Sequence, residues 1–351
     1  MSGPPLAVGI DAPFPWFGGK RRVASVVWDA LGDVRGYVEP FAGSLAVLLR
    51  RPEIHGAEMV NDKDAYVSNF WRAVQHDPEA VARFADWPVN ETDLFARHLW
   101  LVNSGRERIA MLESDPEAFD AKVAGWWVWG VCAWIGSEWC SGAGPWKLPH
   151  LGNAGQGVNR RLPHLGDAGQ GINRQLPHLG TAGLGVNRQL QHLGDAGKGY
   201  QRTDAVLEWI RLLGERLRRV RVCCGDWKRV VTPSVLRGGG YPCGVFLDPP
   251  YDTGSENYTH AEKGIAAAAR EWALANGDDP NLRIVYAGYD GEHEFPQSWT
   301  IHAYSATGGY AGRGSNASAN RHRERLWFSP HCRRANAVPS LFSFQASEVP
   351  A

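Results

Sequence analysis

Short apolar segments that alternate with helix-forming stretches constrain the fold of this chain more than any other feature of its sequence. Strands that are separated by helices pair mainly in parallel, and helices then cover both faces of the sheet. We therefore predict an α/β protein. The predicted strands are residues 36–38, 57–60, 220–223, 245–247, 284–287, 299–304 and 325–328.

A long segment of different composition separates the strands into two groups. Residues 85–205 contain a Trp-rich stretch and then four glycine-rich repeats of 14 residues over 148–203, from LPHLGNAGQGVNRR to LQHLGDAGKGYQRT. The repeat is shorter than the roughly 20 to 50 residues of a helical solenoid unit, so we interpret it as a loop-rich insertion. We predict a discontinuous main domain of residues 1–84 and 206–335, an inserted lobe of residues 85–205, and a flexible tail of residues 336–351.

The charges balance over the whole chain but are unevenly distributed along it. The 37 Lys and Arg equal the 37 Asp and Glu, which argues against a uniformly basic nucleic-acid-binding surface. Residues 147–202, however, contain seven Lys and Arg against two Asp, a net charge of +5, and residues 211–237 contain eight against two, a net charge of +6. Either one face attracts a polyanion, or these runs form solvated surfaces.

The composition also argues against two classes of protein. The longest apolar run, residues 126–135, has ten residues, whereas a membrane-spanning helix needs roughly 20. The N-terminus lacks a basic-then-apolar secretory pattern, and the six Cys show no C-x-x-C spacing that would indicate structural zinc. We expect a cytoplasmic protein that is neither membrane-embedded nor exported.

The first candidate ligand site is the segment YVEPFAGSLAVLL, residues 37–49. We predict a strand that ends at Val38, a tight loop that contains Gly43, and an apolar helix that begins near Leu45. Glycine lets a ligand approach the backbone, and a helix N-terminus offers free N–H groups. Asp62 ends the next predicted strand, 19 residues after Gly43, where nucleoside-binding α/β folds hold ribose hydroxyls. The pair indicates an adenosine-containing cofactor.

The second candidate site is the segment GVFLDPPY, residues 244–251, in which an apolar strand runs into Asp248, Pro249, Pro250 and Tyr251. Consecutive prolines fix the backbone and leave carbonyl groups as hydrogen-bond acceptors. Such a turn can hold a planar base, because Tyr251 can stack on the ring while Asp248 and the Pro249 carbonyl accept hydrogen bonds from an exocyclic amine. We regard these four residues as candidate catalytic residues.

Three motifs in a fixed order carry a family resemblance. PWFGGK at residues 15–20, VEPFAGS at residues 38–44 and LDPPY at residues 247–251 resemble the Dam-like DNA adenine-N6 methyltransferases, which use S-adenosylmethionine. The resemblance covers residues 1–75 and 205–330. It implies a Rossmann-like methyltransferase sheet with helices on both faces, and methylation of adenine in DNA. The inserted segment lies outside the resemblance, and we predict that it is a DNA-recognition lobe. The target base must leave the duplex, because its amine cannot meet the cofactor inside the stack.

The resemblance and the spacing of charges together give a set of site residues. The residues implied to bind the cofactor are Trp16, Lys20, Glu39, Phe41, Gly43, Asp62, Asp226 and Asp248. Asp248 is also implied to contact the target amine. The candidate DNA contacts are Arg160, Arg174, Arg188, Arg202 and Arg313. Four of these arginines recur at one spacing that could follow a phosphate backbone, and the alternative is that the repeats form a flexible spacer.

Two other functions remain open from the sequence. Cytosine N4 is an alternative target, because a DPPY-type pocket binds an amine and a ring face that both bases possess. A non-catalytic DNA-binding or assembly protein on a vestigial methyltransferase fold is the alternative of another class, and the intact DPPY and GGK motifs and Asp62 argue against it. DNA is the expected partner, with or without a restriction endonuclease.

Overall fold

All seven predicted strands are present in one sheet. The computed structural model describes residues 10–14, 16, 20–54, 56–133, 139–140, 200–250, 264–304 and 323–333. The strands are β1 (Gly36–Glu39), β2 (Glu58–Asp62), β3 (Val220–Cys224), β4 (Cys243–Leu247), β5 (Leu282–Tyr289), β6 (Thr300–Ala303) and β7 (Glu324–Phe328). Their order across the 7-stranded sheet is β3-β2-β1-β4-β5-β7-β6. The strand predictions are confirmed.

The helices follow capping signals in the sequence. In the described ranges they are α1 (Ala24–Leu31), α2 (Ala65–His76), α3 (Pro78–Ala85), α4 (Glu91–Trp100), α5 (Arg106–Arg108), α6 (Ala121–Ala133), α7 (Tyr200–Leu217), α8 (Pro233–Gly238) and α9 (Ile265–Asn276). α2 begins where the Asp64 carboxylate accepts a hydrogen bond from the N–H of Tyr66, and α3 where Asp77 caps the N–H of Ala80. Over the residues described, none of these helices is both long and apolar enough to cross a membrane.

The sheet is parallel from β3 through β5, and β7 runs antiparallel between β5 and β6. Side chains alternate between its two faces. Val285 and Ala287 of β5 pack in a cluster with α1, α2, α3, α6 and α7. Ile284 and Tyr286 of the same strand pack in a second cluster with α8 and α9. The predicted Rossmann-like α/β sheet with helices on both faces is therefore confirmed.

The Trp-rich helix α6 packs on the helices that cover one face of the sheet. Trp127 and Val128 of α6 lie in the same buried cluster as Phe70 of α2 and Val285 of β5. Because α6 buries its large side chains against α2 and α3, residues 121–133 belong to the core of the sheet domain. The predicted loop of the last repeat is shorter than expected, because the residues from Tyr200 onward belong to α7. The recognition role of residues 85–205 stays a prediction.

A buried group of three charges holds the amino-terminal edge of the sheet. Glu58, the first residue of β2, accepts hydrogen bonds from Arg51 at 3.0 Å and from Arg216 of α7 at 2.7 and 2.8 Å. Arg216 also donates to the carbonyl of Leu48 at 3.0 Å. These contacts tie α7 to β2 across 158 positions of sequence.

Candidate active site

Polar side chains from several strands meet at the carboxyl-terminal edge of the sheet. Glu39 ends β1, Asp62 ends β2, and Asp248 directly follows β4. β1 and β4 are neighbours from which the chain continues in opposite directions, so a crevice opens between their ends. Because β7 is antiparallel, its first residue, Glu324, lies at this same edge. We take this edge as the candidate active site.

Lys20 lies between two carboxylates of this edge. Its Nζ is 3.0 Å from Oδ1 of Asp248 and 3.6 Å from Oε2 of Glu324. The side chains of Lys20 and Glu324 are 5% and 4% exposed, whereas that of Asp248 is 20% exposed. The hydroxyl of Tyr304, just after β6, donates to Glu324. Two sequence-predicted residues, Lys20 and Asp248, are thus in direct contact, with Asp248 the most accessible member of the group.

Glu39 is a buried carboxyl group beside this cluster. The pKa of Glu39 is raised to about 8, mainly by burial; the hydrogen bond from Tyr37 opposes the rise and the negative charge of Asp248 contributes to it. The Tyr37 hydroxyl lies 3.0 Å from Oε2 of Glu39. At neutral pH the Glu39 carboxyl therefore favours its protonated form.

Replacing Glu39 by Gln is expected to change how stability depends on pH. In the unfolded chain the carboxyl ionises near its ordinary pKa of 4.5, while in the folded protein it does so at about 8. Between these values the folded state holds a proton that the unfolded state has lost, so folding stability falls as pH rises. Urea unfolding of both proteins at several pH values should show wild type losing stability relative to Glu39→Gln from pH 4.5 to 8. Parallel stability curves would contradict the burial of an ionisable group here.

The loop after β1 does not lead into the predicted helix. Leu45 has a φ of 55°, in the left-handed region, which an α-helix cannot include. Only a short 3-10 helix, Leu48–Arg50, follows. The Val47 carbonyl accepts from the Trp28 indole N–H at 2.7 Å and from the N–H of Arg50 in this 3-10 helix at 3.1 Å. The prediction of a helix N-terminus near Leu45 is wrong.

Asp62 organises this loop through backbone hydrogen bonds. Its Oδ2 accepts from the N–H of Gly43 and its Oδ1 from the N–H of Asp64, both at 2.9 Å. Burial raises the pKa of Asp62 to about 7, and the nearby charge of Asp64 adds to the rise. Gly43 and Asp62 are thus brought together as the spacing indicated, and the direct link between them is the N–H of Gly43.

Gly43 packs against the indole of Trp16. Gly43 has a φ of 45°, and a Cβ built at this position would lie 2.3 Å from Nε1 of Trp16. The indole N–H of Trp71 donates to the carbonyl of Gly43 at 2.8 Å. A side chain here would therefore displace Trp16 and also strain the backbone.

Gly43→Ala is expected to lower the free energy of unfolding by about 1–3 kcal/mol, because it combines an overpacked contact with a left-handed backbone. Gly238→Ala in α8 is the control, since a Cβ there meets open space among the described residues. That substitution should be neutral or stabilising, by up to about 1 kcal/mol. Urea denaturation measures both, and equal effects of the two would contradict the tight packing at Gly43.

The loops after β1 and β3 are joined across the end of β2. The buried Asn61 side chain donates to the carbonyls of Pro40 and Gly225, at 3.1 and 3.0 Å. Phe41 and Trp227 lie in ring contact with centroids 5.7 Å apart. The carboxylate of Asp226 accepts from the N–H of Lys228 at 2.8 Å and caps a short 3-10 helix. The sequence analysis assigned no role to Asn61. Its polar side chain within an apolar strand was the feature that could have indicated one.

The structure describes some of the remaining predicted site residues and leaves the others outside the described ranges. Pro249 is buried and Pro250 partly buried, directly after Asp248. Arg202 lies in α7, but its side chain is outside the description. The residues that lie wholly outside the described ranges are Tyr251, Arg160, Arg174, Arg188 and Arg313. Their roles stay predictions.

Glu324 and Tyr304 are members of the edge that the sequence analysis missed. Residues 325–328 were predicted as a strand, without a role for the acidic residue that precedes them. An acidic residue that begins an antiparallel strand lies at the carboxyl ends of its parallel neighbours, and this placement follows from the strand order of the folded sheet.

Comparison with known proteins agrees with this geometry. Residues 16–104 match the family model described as D12 class N6 adenine-specific DNA methyltransferase. The matched range includes Trp16, Lys20, Glu39, Gly43 and Asp62. No curated protein matches the chain significantly. Residues 16–104, which lead into and include the first two strands of the Rossmann-like sheet, are therefore similar to the D12 class N6 adenine-specific DNA methyltransferases.

Proposed function

We propose that this protein uses S-adenosylmethionine to methylate the exocyclic N6 of adenine in DNA, after the base has left the double helix. The observation that carries the proposal is the position of Asp248. It follows a buried central strand, precedes two prolines, and is held by Lys20 at 3.0 Å while it remains partly exposed at the crevice.

The edge of the sheet has the chemistry that such a cofactor requires. S-adenosylmethionine supplies a methyl group activated on a cationic sulfonium. Glu39, Asp62 and Asp226 provide acceptors at or just after the ends of β1, β2 and β3, and Trp16 lies against the Gly43 loop. Oxygens of carboxyl and carboxylate groups accept hydrogen bonds from hydroxyl and ammonium groups, and aromatic rings suit the adenine ring. These residues are the ones we propose to hold the cofactor.

Asp248 and the backbone after it are proposed to orient the target amine. The Asp248 carboxylate and the Pro249 carbonyl accept hydrogen bonds from the two N–H groups, which directs the nitrogen lone pair toward the activated methyl group. Rate enhancement then comes from positioning and from hydrogen bonding to the amine. Tyr251 is proposed to stack on the ring, and the base must be flipped because its amine cannot reach the cofactor inside the stack.

DNA is proposed to be held in part by the basic segment of residues 147–202, whose net charge is +5. Lys and Arg contacts to phosphates supply affinity that is independent of sequence and falls with salt. Arg160, Arg174, Arg188, Arg202 and Arg313 are the proposed contacts.

Methylation of unmethylated genomic DNA, followed by single-molecule sequencing, tests the function. N6-methyladenine at a defined sequence is the expected product, and a reaction with S-adenosylhomocysteine in place of the cofactor is the control. N4-methylcytosine would select the alternative target. Binding of DNA without any methylation would favour the non-catalytic alternative.

A further inference from the structure

We propose that Glu324 is a positioning residue that holds the ammonium of Lys20 at Asp248 and makes the site prefer a cationic ligand to a neutral one. This inference rests on the proposed use of S-adenosylmethionine, which carries a positive sulfur. It assigns a function to a residue of β7, far along the chain from the three motifs.

The first support is the way in which Lys20 is held. Lysine carries about 2 kcal/mol of side-chain entropy, so a single contact rarely fixes its ammonium. Here Nζ lies 3.0 Å from Asp248, which follows β4, and 3.6 Å from Glu324, the first residue of β7. Glu324 is fixed in turn by the hydroxyl of Tyr304 and by its pairing with Tyr289 of β5.

The second support is that the charges of this cluster act on a common neighbour, Tyr289. Burial raises the pKa of Tyr289, and among the nearby charges that of Glu324 raises it most, whereas that of Lys20 lowers it. Glu292 and Asp248 act in the same direction as Glu324. A charge change at Glu324 is therefore felt at the edge of the sheet where Asp248 lies.

Removing the charge of Glu324 makes the cluster more positive by one unit, whatever other groups surround it. That change weakens the binding of a cation and leaves the binding of a neutral ligand nearly unaltered. S-adenosylmethionine and S-adenosylhomocysteine differ in the methyl group and in the charge on sulfur. The ratio of their affinities therefore reports the electrostatic role of Glu324 separately from any loss of packing.

Isothermal titration of wild type and Glu324→Gln with three ligands tests the inference. The ligands are S-adenosylmethionine, S-adenosylhomocysteine and sinefungin, in which an amine provides the positive charge. Glu324→Gln should weaken both cationic ligands at least about tenfold relative to S-adenosylhomocysteine. The matched control is Asp290→Asn, which removes a carboxylate that is 59% exposed and pairs with Arg325, the residue after Glu324. Solvent should screen that change, so its affinity ratios should stay at the wild-type values.

A charge-restoring variant separates electrostatics from structure. Lys20→Met combined with Glu324→Gln removes one charge of each sign, so the ratio of cationic to neutral affinity should return toward the wild-type value. Tyr304→Phe keeps the carboxylate and removes only its hydrogen bond, and it should shift the ratio in the same direction as Glu324→Gln by a smaller factor. If Glu324→Gln does not fold, these two variants test the electrostatic role of Glu324 in its place.

The outcomes distinguish this inference from the proposed function. Equal weakening of all three ligands by Glu324→Gln would make Glu324 a structural residue and overturn the inference. Unchanged ratios would overturn it as well. A wild-type protein that binds none of the three ligands would overturn the cofactor assignment itself, and the inference with it.

Discussion

Asp248→Ala is expected to lower kcat for DNA methylation by at least roughly 10²–10³-fold, the loss typical for removal of one group that interacts with the reacting atoms. The substitution removes the proposed acceptor for the target amine and also one partner of Lys20. DNA affinity should remain measurable, because phosphate contacts elsewhere supply most of it. A methyl-incorporation assay gives kcat, and fluorescence anisotropy gives the dissociation constant for DNA.

Two further variants sharpen this test. Asp248→Asn keeps one acceptor oxygen and should be less impaired than Asp248→Ala. Asp278→Ala is the control, since this exposed residue lies shortly before β5, at the opposite edge of the sheet, and it should keep the wild-type kcat. Near wild-type turnover by Asp248→Ala would remove Asp248 from the proposed mechanism.

Glu58→Gln is expected to lower the free energy of unfolding by about 3–5 kcal/mol, because it leaves two buried guanidinium groups without their shared carboxylate. The side chains of Arg51 and Glu58 are each 2% exposed and that of Arg216 is 4% exposed. The effect arises from the cost of a buried charge that has lost its partner. Urea denaturation followed by tryptophan fluorescence measures it.

The chain contains a matched control for this prediction. Arg211 lies on the same helix, α7, as Arg216, and its Nε is 2.8 Å from Oε1 of Glu79. Those two side chains are 54% and 57% exposed. Glu79→Gln should therefore cost no more than about 1 kcal/mol. Similar losses from Glu58→Gln and Glu79→Gln would show that burial does not govern the strength of these pairs.

Local patterns predicted the strands well because the central strands are buried on both faces. Such strands form short, nearly continuous apolar runs, as in the buried Cys243–Leu247 of β4. Because parallel strands end at the same edge of a sheet, the sequence then placed Asp62 and Asp248 at one edge. Lys20 required the family resemblance, since nothing in the sequence near it predicts a contact 228 positions away.

The errors arise where distant residues decide the local structure. An apolar run predicted a helix at Leu45, but Leu45 has a left-handed backbone in a loop that Asp62, at the end of the next strand, holds through the N–H of Gly43. Six tryptophans in residues 126–146 are part of the predicted inserted lobe, and one of them, Trp127, packs against Phe70 of α2. Glu324 was missed because its meaning depends on strand order, which side-chain patterns along the chain do not contain.

The two helices that flank the repeat-bearing segment pack against one and the same helix, α3. α6, which ends at Ala133, and α7, which begins at Tyr200, both pack against α3. Gain or loss of a 14-residue unit between them leaves both anchors in place. In the limiting case of a loop without structure, doubling its length adds only about 0.6 kcal/mol of closure entropy. For such a loop, a change in the number of repeats has little effect on the stability of the core, and it leaves the candidate active site unaltered.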